Sequence, residues 1–346
     1  MVFLSQNTAE HLETLLSDIH YDKLFVLSDE HTQNCCVKTL SCPAIQQAEH
    51  LMVASGEEAK SMETAINLWR QLNEASATRQ SLLLCVGGGM ITDLGGFVAS
   101  TFKRGMRCFH VSTTLLGAVD AATGGKTAVN FDGYKNLIGL FYKPEHVVVA
   151  IDLFSTLDHS QLLSGYAEML KHALISSPHD WNITQAWDVE TMPMEPLKTI
   201  LERNIAIKQS IVEKDPTEQG ERKKLNFGHT IGHAIESWTH EVNQPRPHGY
   251  AVMWGMVAEA FISHQKLAFP SHHVQELVSI MKRYYGTPEF TCKHYDTLCK
   301  YMLHDKKNMD ATHINFTLLK QVGEALINQT ATKKEIYEAL DFLREC

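Results

Sequence analysis

Residues 81–100 have the sequence SLLLCVGGGMITDLGGFVAS, and this stretch decides the fold predicted for the first half of the chain. The apolar run 82–86 predicts a short buried strand, the glycines 87–89 break it, and a helix is predicted to begin near Ile91. A strand, a glycine turn and a helix N-terminus form an arrangement whose bare N–H groups hold phosphates, with a plain turn as the alternative. Asp93 would oppose a phosphate there, unless it faces sugar hydroxyls or only complements the helix dipole.

Three further apolar runs, 23–29, 108–114 and 146–151, predict buried strands before and after this stretch. Because these strands alternate with helical segments, we predict a mainly parallel, doubly wound sheet and an α/β fold. Asp29 ends the first of the three strands, where a parallel sheet places ligand-binding groups. Capping a turn is the more common role of a lone aspartate and is the alternative.

The pattern changes after Thr156, where long amphipathic segments replace the alternation. We therefore predict two domains, an N-terminal α/β domain over 1–155 and a mostly α-helical C-terminal domain over 156–346. The predicted helices of the second domain cover 159–176, 195–214, 225–240, 249–267 and 272–284.

The composition limits the classes of protein to which the chain can belong. The chain has 346 residues, 44% hydrophobic and 21% charged residues, and a formal net charge of −9. These values are typical of a soluble globular protein and argue against nucleic acid as a partner. We find neither a secretion signal nor a membrane span, and eight cysteines without a C-x-x-C pair predict reduced thiols in a cytoplasm.

The segment 225–237, LNFGHTIGHAIES, places His229 and His233 four residues apart, on one face of a predicted helix, with Gly228 and Gly232 on a neighbouring stripe. Glu168 lies upstream in SGYAEMLKH, and His248 is predicted in a loop marked by proline and glycine. One carboxylate and two or three imidazoles are the ligands of a catalytic zinc ion. Buried or capping histidines are the alternative.

Residues 118–136, AVDAATGGKTAVNFDGYKN, contain a glycine pair followed by Lys126. This resembles half of a P-loop, but the G-x-x-x-x-G-K-[ST] spacing is absent, so binding of a nucleoside triphosphate is rejected. An anionic substrate is still expected, because local fields matter more than net charge.

Several motif blocks occur along the chain in a fixed order. Because of these blocks taken together, the sequence resembles the 3-dehydroquinate synthase family. The resemblance extends from Asp29 to about Lys307. The blocks are GEEAKS, GGGMITDLGGFVAS, FKRG, STTLL, VDAATGGKTAVN, YKNLIG, SGYAEMLKH, LNFGHTIGHAIES, HGYAV and HDKKN.

The resemblance implies a Rossmann-like N-terminal domain that binds NAD, a helical C-terminal domain that holds Zn²⁺ (Co²⁺ being the alternative), and a homodimer. The implied metal ligands are Glu168, His229 and His248, with His233 contacting substrate instead. The implied NAD contacts are Asp29, Glu57, Lys60, Gly88, Gly89, Asp93, Thr113, Thr114 and Thr156, with Lys135 and Asn136 assigned to cofactor or substrate. The implied substrate contacts are Arg104, Asp120, Lys126, Lys171, Lys208, Arg222, Asn226, Lys306 and Lys307.

The implied reaction belongs to the shikimate pathway and converts 3-deoxy-D-arabino-heptulosonate 7-phosphate into 3-dehydroquinate and phosphate. It combines transient oxidation by NAD, phosphate elimination, re-reduction and an aldol closure. Another sugar-phosphate cyclase, a metal-dependent alcohol dehydrogenase and an inactive binding protein are the alternatives. Tyr250 stands where many members of the family have glutamate, which leaves the partner that orients His248 open.

Overall fold

The computed structural model describes residues 1–132, 134–303 and 314–346. They form two compact units, Met1–Asp158 and His159–Cys346. None of the helices in the described ranges combines the length and apolar character needed to cross a membrane.

The first unit is built on a six-stranded parallel sheet with the order β1-β8-β5-β4-β2-β3, and a separate antiparallel hairpin joins β6 to β7. The predicted α/β fold with a mainly parallel sheet is therefore confirmed. The strands are β1 Val2–Ser5, β2 Leu24–Asp29, β3 Glu49–Val53, β4 Leu82–Gly87, β5 Arg107–Ser112, β6 Lys126–Phe131, β7 Tyr134–Phe141 and β8 His146–Ala150. The helices are α1 Thr8–Ser17, α2 Glu30–Cys35, α3 Pro43–Gln46, α4 Met62–Glu74 and α5 Gly89–Thr101.

Both faces of this sheet are buried, which explains why its strands are continuous apolar runs. Alternate residues of one strand enter different cores. Phe25 and Leu27 pack with residues of α4 and α5, whereas Leu24 and Val26 pack with residues of α1 and α3. The sheet is thus covered on both sides by helices, as the doubly wound prediction requires.

The second unit is mostly helical, as predicted. Its helices are α6 His159–Ser176, α7 Pro178–Gln185, α8 Met194–Lys214, α9 His229–Glu241, α10 His248–Leu267, α11 Ser271–Ile280, α12 Tyr295–Leu303 and α13 Lys333–Glu345. One antiparallel hairpin, β9 Asn315–Gln321 with β10 Glu324–Thr330, was not predicted.

Three local predictions were wrong. The helix after the glycine turn begins at Gly89 rather than near Ile91. The predicted helix over 225–240 begins only at His229, because Gly228 is the N-cap of α9 with a left-handed φ of 79° and so cannot be a helical residue. His248 is the first residue of α10 and not a loop residue, because the Pro/Gly-marked segment ends in Pro247, which is the extended N-cap of the helix.

Glycines let the backbones of α6, α9 and α10 approach closely. A Cβ atom on Gly255 would lie 1.9 Å from the carbonyl oxygen of Gly228, and one on Gly232 would lie 2.8 Å from that of Ala251. A Cβ atom on Gly249 would lie 2.3 Å from Cα of Ser164. These contacts leave no room for a side chain, and they bring together the three helices that carry Glu168, His229 and His248.

Candidate functional site

Three side chains from three helices converge in the second unit. Glu168 of α6 is fully buried, and its Oε1 lies 3.3 Å from Nε2 of His229 and 3.5 Å from Nε2 of His248. One ligand atom from each residue lies within 4.8 Å of the others. Neither oxygen of Glu168 accepts a hydrogen bond of regular geometry from a described residue. A buried carboxylate oxygen that faces two imidazole nitrogens fits a divalent metal ion.

Lys171 lies one turn along α6 and forms a fully buried ion pair with Oε2 of Glu168. Burial alone would raise the pKa of the Glu168 carboxyl, but the Lys171 ammonium and the His229 imidazole hold it well below its ordinary value. The carboxylate is therefore ionised. Oε2 is neutralised by lysine, and Oε1 is the oxygen that faces the histidines.

The two histidines are oriented through their Nδ1 atoms. Nδ1 of His229 lies 3.1 Å from the carbonyl oxygen of Phe227, and Nδ1 of His248 lies 3.2 Å from Oε2 of Glu236. If each Nδ1 carries the proton and donates it there, each Nε2 keeps its lone pair for an ion. Glu236 thus occupies the orienting role that the change at Tyr250 left open.

His233 lies one turn after His229, with ring centroids 5.1 Å apart. It also lies with Glu236 and His248 in a second group whose ligand atoms are within 4.8 Å of one another. The two groups share His248, so distances alone do not choose between them. Glu168 favours the first set, because its carboxylate is fully buried, whereas Glu236 is partly exposed and already accepts from His248.

The predicted substrate residues of this unit are placed as follows. Lys208 and Arg222 are buried, and Arg222 donates from Nη1 to the carbonyl oxygen of Pro216 at 2.8 Å. Asn226 donates from Nδ2 to Oε1 of Glu218 at 3.0 Å. Lys306 and Lys307 lie outside the described residues.

In the first unit, the Lys60 ammonium contacts several of the predicted cofactor residues. Its buried ammonium donates to Oδ2 of Asp93 at 2.7 Å and to Oδ1 of Asn136 at 2.6 Å, and lies 3.9 Å from Oε1 of Glu57. Burial raises the pKa of the Asp93 carboxyl above its ordinary value, although Lys60 acts against this. Asn130, which was not assigned a role, completes the network by donating from Nδ2 to Oε1 of Glu57 at 2.9 Å.

The glycine turn and the threonine pair also lie together. Gly88 precedes α5, and a Cβ atom on it would lie 2.9 Å from Cγ2 of Thr114. The backbone N–H of Thr113 donates to the carbonyl oxygen of Gly87 at 3.1 Å. A Cβ atom on Gly89 would lie 3.1 Å from Cβ of Ala121. The N-terminus of α5 therefore has the bare backbone expected of a phosphate-binding turn.

Other predicted residues have separate local contacts. Asp29 caps α2, with Oδ1 accepting from the N–H of Thr32 at 2.7 Å, which matches its alternative role as a cap. Thr156 is exposed and donates to the carbonyl oxygen of Leu153 at 2.7 Å. Arg104, Lys126 and Lys135 are exposed, and Asp120 lies in a turn of π-helix over Gly117–Ala121.

Sequence reasoning missed two glutamates. Glu236 follows His233 by three residues, and this spacing could have indicated a partner on the same helix face. Glu259 is buried on α10 and accepts from the N–H groups of Gly228 at 2.7 Å and Ile231 at 3.0 Å, which fixes the start of α9. No local motif indicates this role, because the contact joins residues far apart in the sequence.

Comparisons with known proteins agree over nearly the whole chain. Family models described as 3-dehydroquinate synthase N-terminal and C-terminal match residues 50–164 and 165–308. A curated 3-dehydroquinate synthase of Parabacteroides distasonis is 46% identical over 345 residues, with 99% of this chain and 98% of that protein covered. One of Staphylococcus aureus is 33% identical over 336 residues, covering 94% and 91%.

Among solved structures, a 2-deoxy-scyllo-inosose synthase complexed with carbaglucose-6-phosphate, NAD⁺ and Co²⁺ has a TM-score of 0.83. Its sequence is 25% identical, and the match covers 98% of this chain and 95% of that one. The fold is thus shared with a 2-deoxy-scyllo-inosose synthase, whereas the higher sequence identities are to 3-dehydroquinate synthases. The chain therefore belongs to the 3-dehydroquinate synthase family, and it is an enzyme of the lyase class.

Proposed function

We propose that Glu168, His229 and His248 hold a divalent metal ion, that residues 1–155 bind NAD, and that residues 156–346 bind metal and substrate. With them, the chain converts 3-deoxy-D-arabino-heptulosonate 7-phosphate into 3-dehydroquinate and phosphate. The supporting observation is the convergence of one buried carboxylate oxygen and two imidazole nitrogens in a chain of this family.

The donor set leaves room for substrate oxygens. Because the Lys171 ammonium neutralises Oε2 of Glu168, one carboxylate oxygen and two Nε2 atoms remain for the ion. Three protein ligands and an open position are typical of a catalytic zinc site. When bound, the ion polarises substrate hydroxyl groups and NAD⁺ takes up and returns a hydride.

His233 is assigned to proton transfer at a substrate hydroxyl. Its ring is partly exposed and stands 5.8 Å from that of His248 and 5.1 Å from that of His229. An imidazole in this position is close enough to reach a group bound to the same ion, and imidazole is the side chain used most often for proton transfer in catalysis. Asn226 is assigned to hold the developing enolate by donating from its amide.

The anionic groups of the substrate are assigned to the basic residues. Lys208 and Arg222 are buried in the second unit, where a guanidinium matches a carboxylate or phosphate in two-pronged geometry. Lys126, Lys171, Arg104, Asp120, Lys306 and Lys307 are the other assigned substrate residues. The negative net charge of the chain does not oppose binding of an anionic substrate, because the field at the site is determined by the nearby basic side chains.

The NAD site is assigned to the glycine turn and the Lys60 network. The N-terminus of α5 presents bare N–H groups at Gly88 and Gly89 for the pyrophosphate, next to Thr113 and Thr114. The Asp93 carboxylate, held by Lys60, accepts hydrogen bonds from sugar hydroxyls. Asp29, Glu57, Lys135, Asn136 and Thr156 complete the assigned set.

The test is an assay of phosphate and 3-dehydroquinate with the heptulosonate phosphate, Zn²⁺ and an amount of NAD⁺ well below that of substrate. We expect both products to form together, in amounts greater than the NAD⁺ supplied. Omitting the metal after chelation should abolish both. Turnover of a different sugar phosphate at a higher kcat/KM would assign the chain to another cyclase.

A homodimer is part of the proposal. Large apolar side chains stand exposed on the hairpin of β6 and β7: Phe131 48%, Tyr134 65%, Leu137 54%, Leu140 45% and Phe141 56%. A patch of this kind is typical of a protein interface. We expect light scattering to give the mass of two chains and Leu137→Lys to give one, whereas a wild-type monomer would contradict the assignment.

A reducing compartment such as the cytoplasm is proposed as the location. All eight cysteines are free thiols, and five of them are buried where they have little exposure to oxidants. Free thiols in this number are typical of reducing compartments.

A further inference from the structure

A second group of metal-ligating side chains, none of which has been assigned a role above, lies in the core of the first unit. Cys85 of β4 stands opposite His110 of β5 in the parallel ladder, and Cys108 comes two residues before His110. Side chains two apart on a strand share a face of the sheet. Cys85 and Cys108 belong to the core that packs against α5, so the three side chains meet on that face.

The three donors are close together and buried. The two sulfur atoms lie 3.7 Å apart, and one ligand atom from each residue lies within 4.8 Å of the others. Cys85 and Cys108 are 0% exposed and His110 is 3% exposed. Donor atoms at these separations surround a common point, which is how the ligands of one ion are arranged.

His110 is the independent sign that a ligand belongs here. Neither Nδ1 nor Nε2 forms a hydrogen bond of regular geometry with a described residue, although both are buried. The Cys108 thiol interacts with the imidazole, but a single S–H group can serve at most one of the two nitrogens. A neutral imidazole carries one donor and one acceptor, and leaving a buried polar group unpaired costs about 1–3 kcal/mol. A metal ion would take the acceptor nitrogen as a ligand and so remove that part of the cost.

Helix α5, which packs on the cluster, has no side chain at the position where it meets the Cys85 thiol. A Cβ atom on Gly95 of α5 would lie 2.2 Å from Sγ of Cys85. At the next residue, Gly96, a Cβ atom would lie at an ordinary contact distance of 3.5 Å from Nε2 of His110, and Cγ2 of Thr127, at 2.4 Å, is what excludes it. The thiol of Cys85 therefore packs against bare backbone. No alanine fits at position 95 while this thiol keeps its place, so the glycine and the cysteine belong together.

We propose that Cys85, Cys108 and His110 form a second metal site, which takes a soft, thiophilic ion of the class of Zn²⁺ and Cu⁺. Two thiolates and one imidazole are the ligands that such ions prefer over magnesium or calcium. Two thiolates balance the charge of Zn²⁺, whereas three donors in a dry core suit the low coordination number of Cu⁺. Burial raises the pKa of the Cys108 thiol well above its ordinary range, so the ion must displace thiol protons and is expected to enter as the chain folds.

The test uses the full-length protein produced with Co²⁺, because a thiolate bound to cobalt gives a charge-transfer band in the near ultraviolet and a Glu/His₂ site does not. We expect about two ions per chain and this band in the wild type. Cys85→Ala and Cys108→Ala should each lose the band and about one ion, while keeping the visible cobalt bands of the other site. His229→Ala should keep the thiolate band.

Cys42→Ala is the matched control, since Cys42 is also 0% exposed but packs in the core on the other face of the sheet. It should keep the band and both ions. The thiolate band and the metal content of the wild-type protein test the proposal by themselves, so a folding defect in one variant does not invalidate the test. Competition with a chelator after loading with Zn²⁺ or with Cu⁺ then identifies the ion. One ion per chain and no thiolate band, with neither Zn²⁺ nor Cu⁺ retained, would overturn the proposal.

Discussion

His248 is held between two carboxylates. Burial opposes its charged form, yet Glu236 and Glu168 outweigh this and raise the pKa of His248 to about 10. In the absence of an ion the site therefore favours a positive charge at this place. A metal ion supplies that charge in place of the proton, and the same carboxylates then stabilise the ion.

The three histidines are predicted to differ when each is replaced by alanine. His229→Ala and His248→Ala remove a ligand and leave two, too few to hold a catalytic ion tightly. We expect their metal content at the Glu/His₂ site to fall. His233→Ala should keep metal and NAD binding but lose turnover by about 10²–10⁴-fold, if it moves a proton. Metal analysis and activity of the purified variants are the measurements.

The opposite result for the His229 and His233 variants would identify a different set of metal ligands. If His233→Ala comes out without this metal while His229→Ala stays loaded, the ion is held by His233, Glu236 and His248 instead. Cobalt loading followed by visible spectra separates this site from the thiolate cluster.

Glu236 is predicted to position His248 and not to bind the ion. Glu236→Ala removes the acceptor at Nδ1 and should weaken metal affinity by about 10–100-fold. Glu236→Gln keeps an acceptor oxygen and should restore part of the loss. Zinc competition with a chelator is the measurement, and Glu241→Gln, near the end of the same helix, is the control. Equal loss in the glutamine and alanine variants would show that charge, not orientation, is what Glu236 supplies.

At the scale of the residue, the sequence predicted part of the site. The spacing of His229 and His233 placed both on one helix face, which is correct, but it could not choose between them as ligands. The partners at Phe227, Glu236 and Glu259 come from turns and helix contacts that have no local pattern. Lys171 was expected to contact substrate, but its pairing with Glu168 depends on burial that a sequence does not reveal.

At the scale of the element, close helix packing determines where the ligands lie. Glu168, His229 and His248 belong to α6, α9 and α10, and each helix is pressed against a neighbour at a glycine. Glu259 ties α10 to the first turn of α9 through two backbone N–H groups. The positions of the ligands are thus a property of the helix pairs and not of a loop.

Gly255→Ala is predicted to destabilise the protein. Helix propensity alone would favour alanine by about 1 kcal/mol. The added Cβ atom, however, would lie 1.9 Å from the carbonyl oxygen of Gly228, which is backbone and cannot rotate away. We expect a net loss of about 1–3 kcal/mol in the free energy of unfolding, and a lower metal content.

Urea denaturation measures the effect, with Gln265→Ala on the exposed side of α10 as the control. That variant should change stability by less than about 0.5 kcal/mol. A more stable Gly255→Ala protein would mean that α9 and α10 can separate at no cost.

The elements themselves were largely predictable. Apolar runs gave β2, β4, β5 and β8, because strands buried on both faces have no polar alternation to mask them. Amphipathic periodicity gave α6 and α8 to within one residue at each end. The start of α9 and the hairpin of β9 and β10 were missed, because a left-handed glycine and a single long-range pairing carry little local signal.

At the scale of the whole molecule, a chain with net charge −9 is assigned an anionic substrate and a cofactor that is not consumed. We predict that NAD⁺ is required in trace amount and that no net NADH accumulates during turnover, because the hydride is returned. Absorbance of NADH, followed together with phosphate release, is the measurement. Stoichiometric NADH would favour a metal-dependent alcohol dehydrogenase.

The two orienting contacts of the metal ligands differ in how they can evolve. His229 is aligned by a main-chain carbonyl, so no substitution elsewhere deletes its partner, and only a shift of the turn at Gly228 would disturb it. His248 is aligned by a side chain, and a single codon change at Glu236 alters it. Natural variation in metal preference within this fold should therefore be found at position 236 and around it. The alignment of His229 should be insensitive to side-chain substitutions elsewhere.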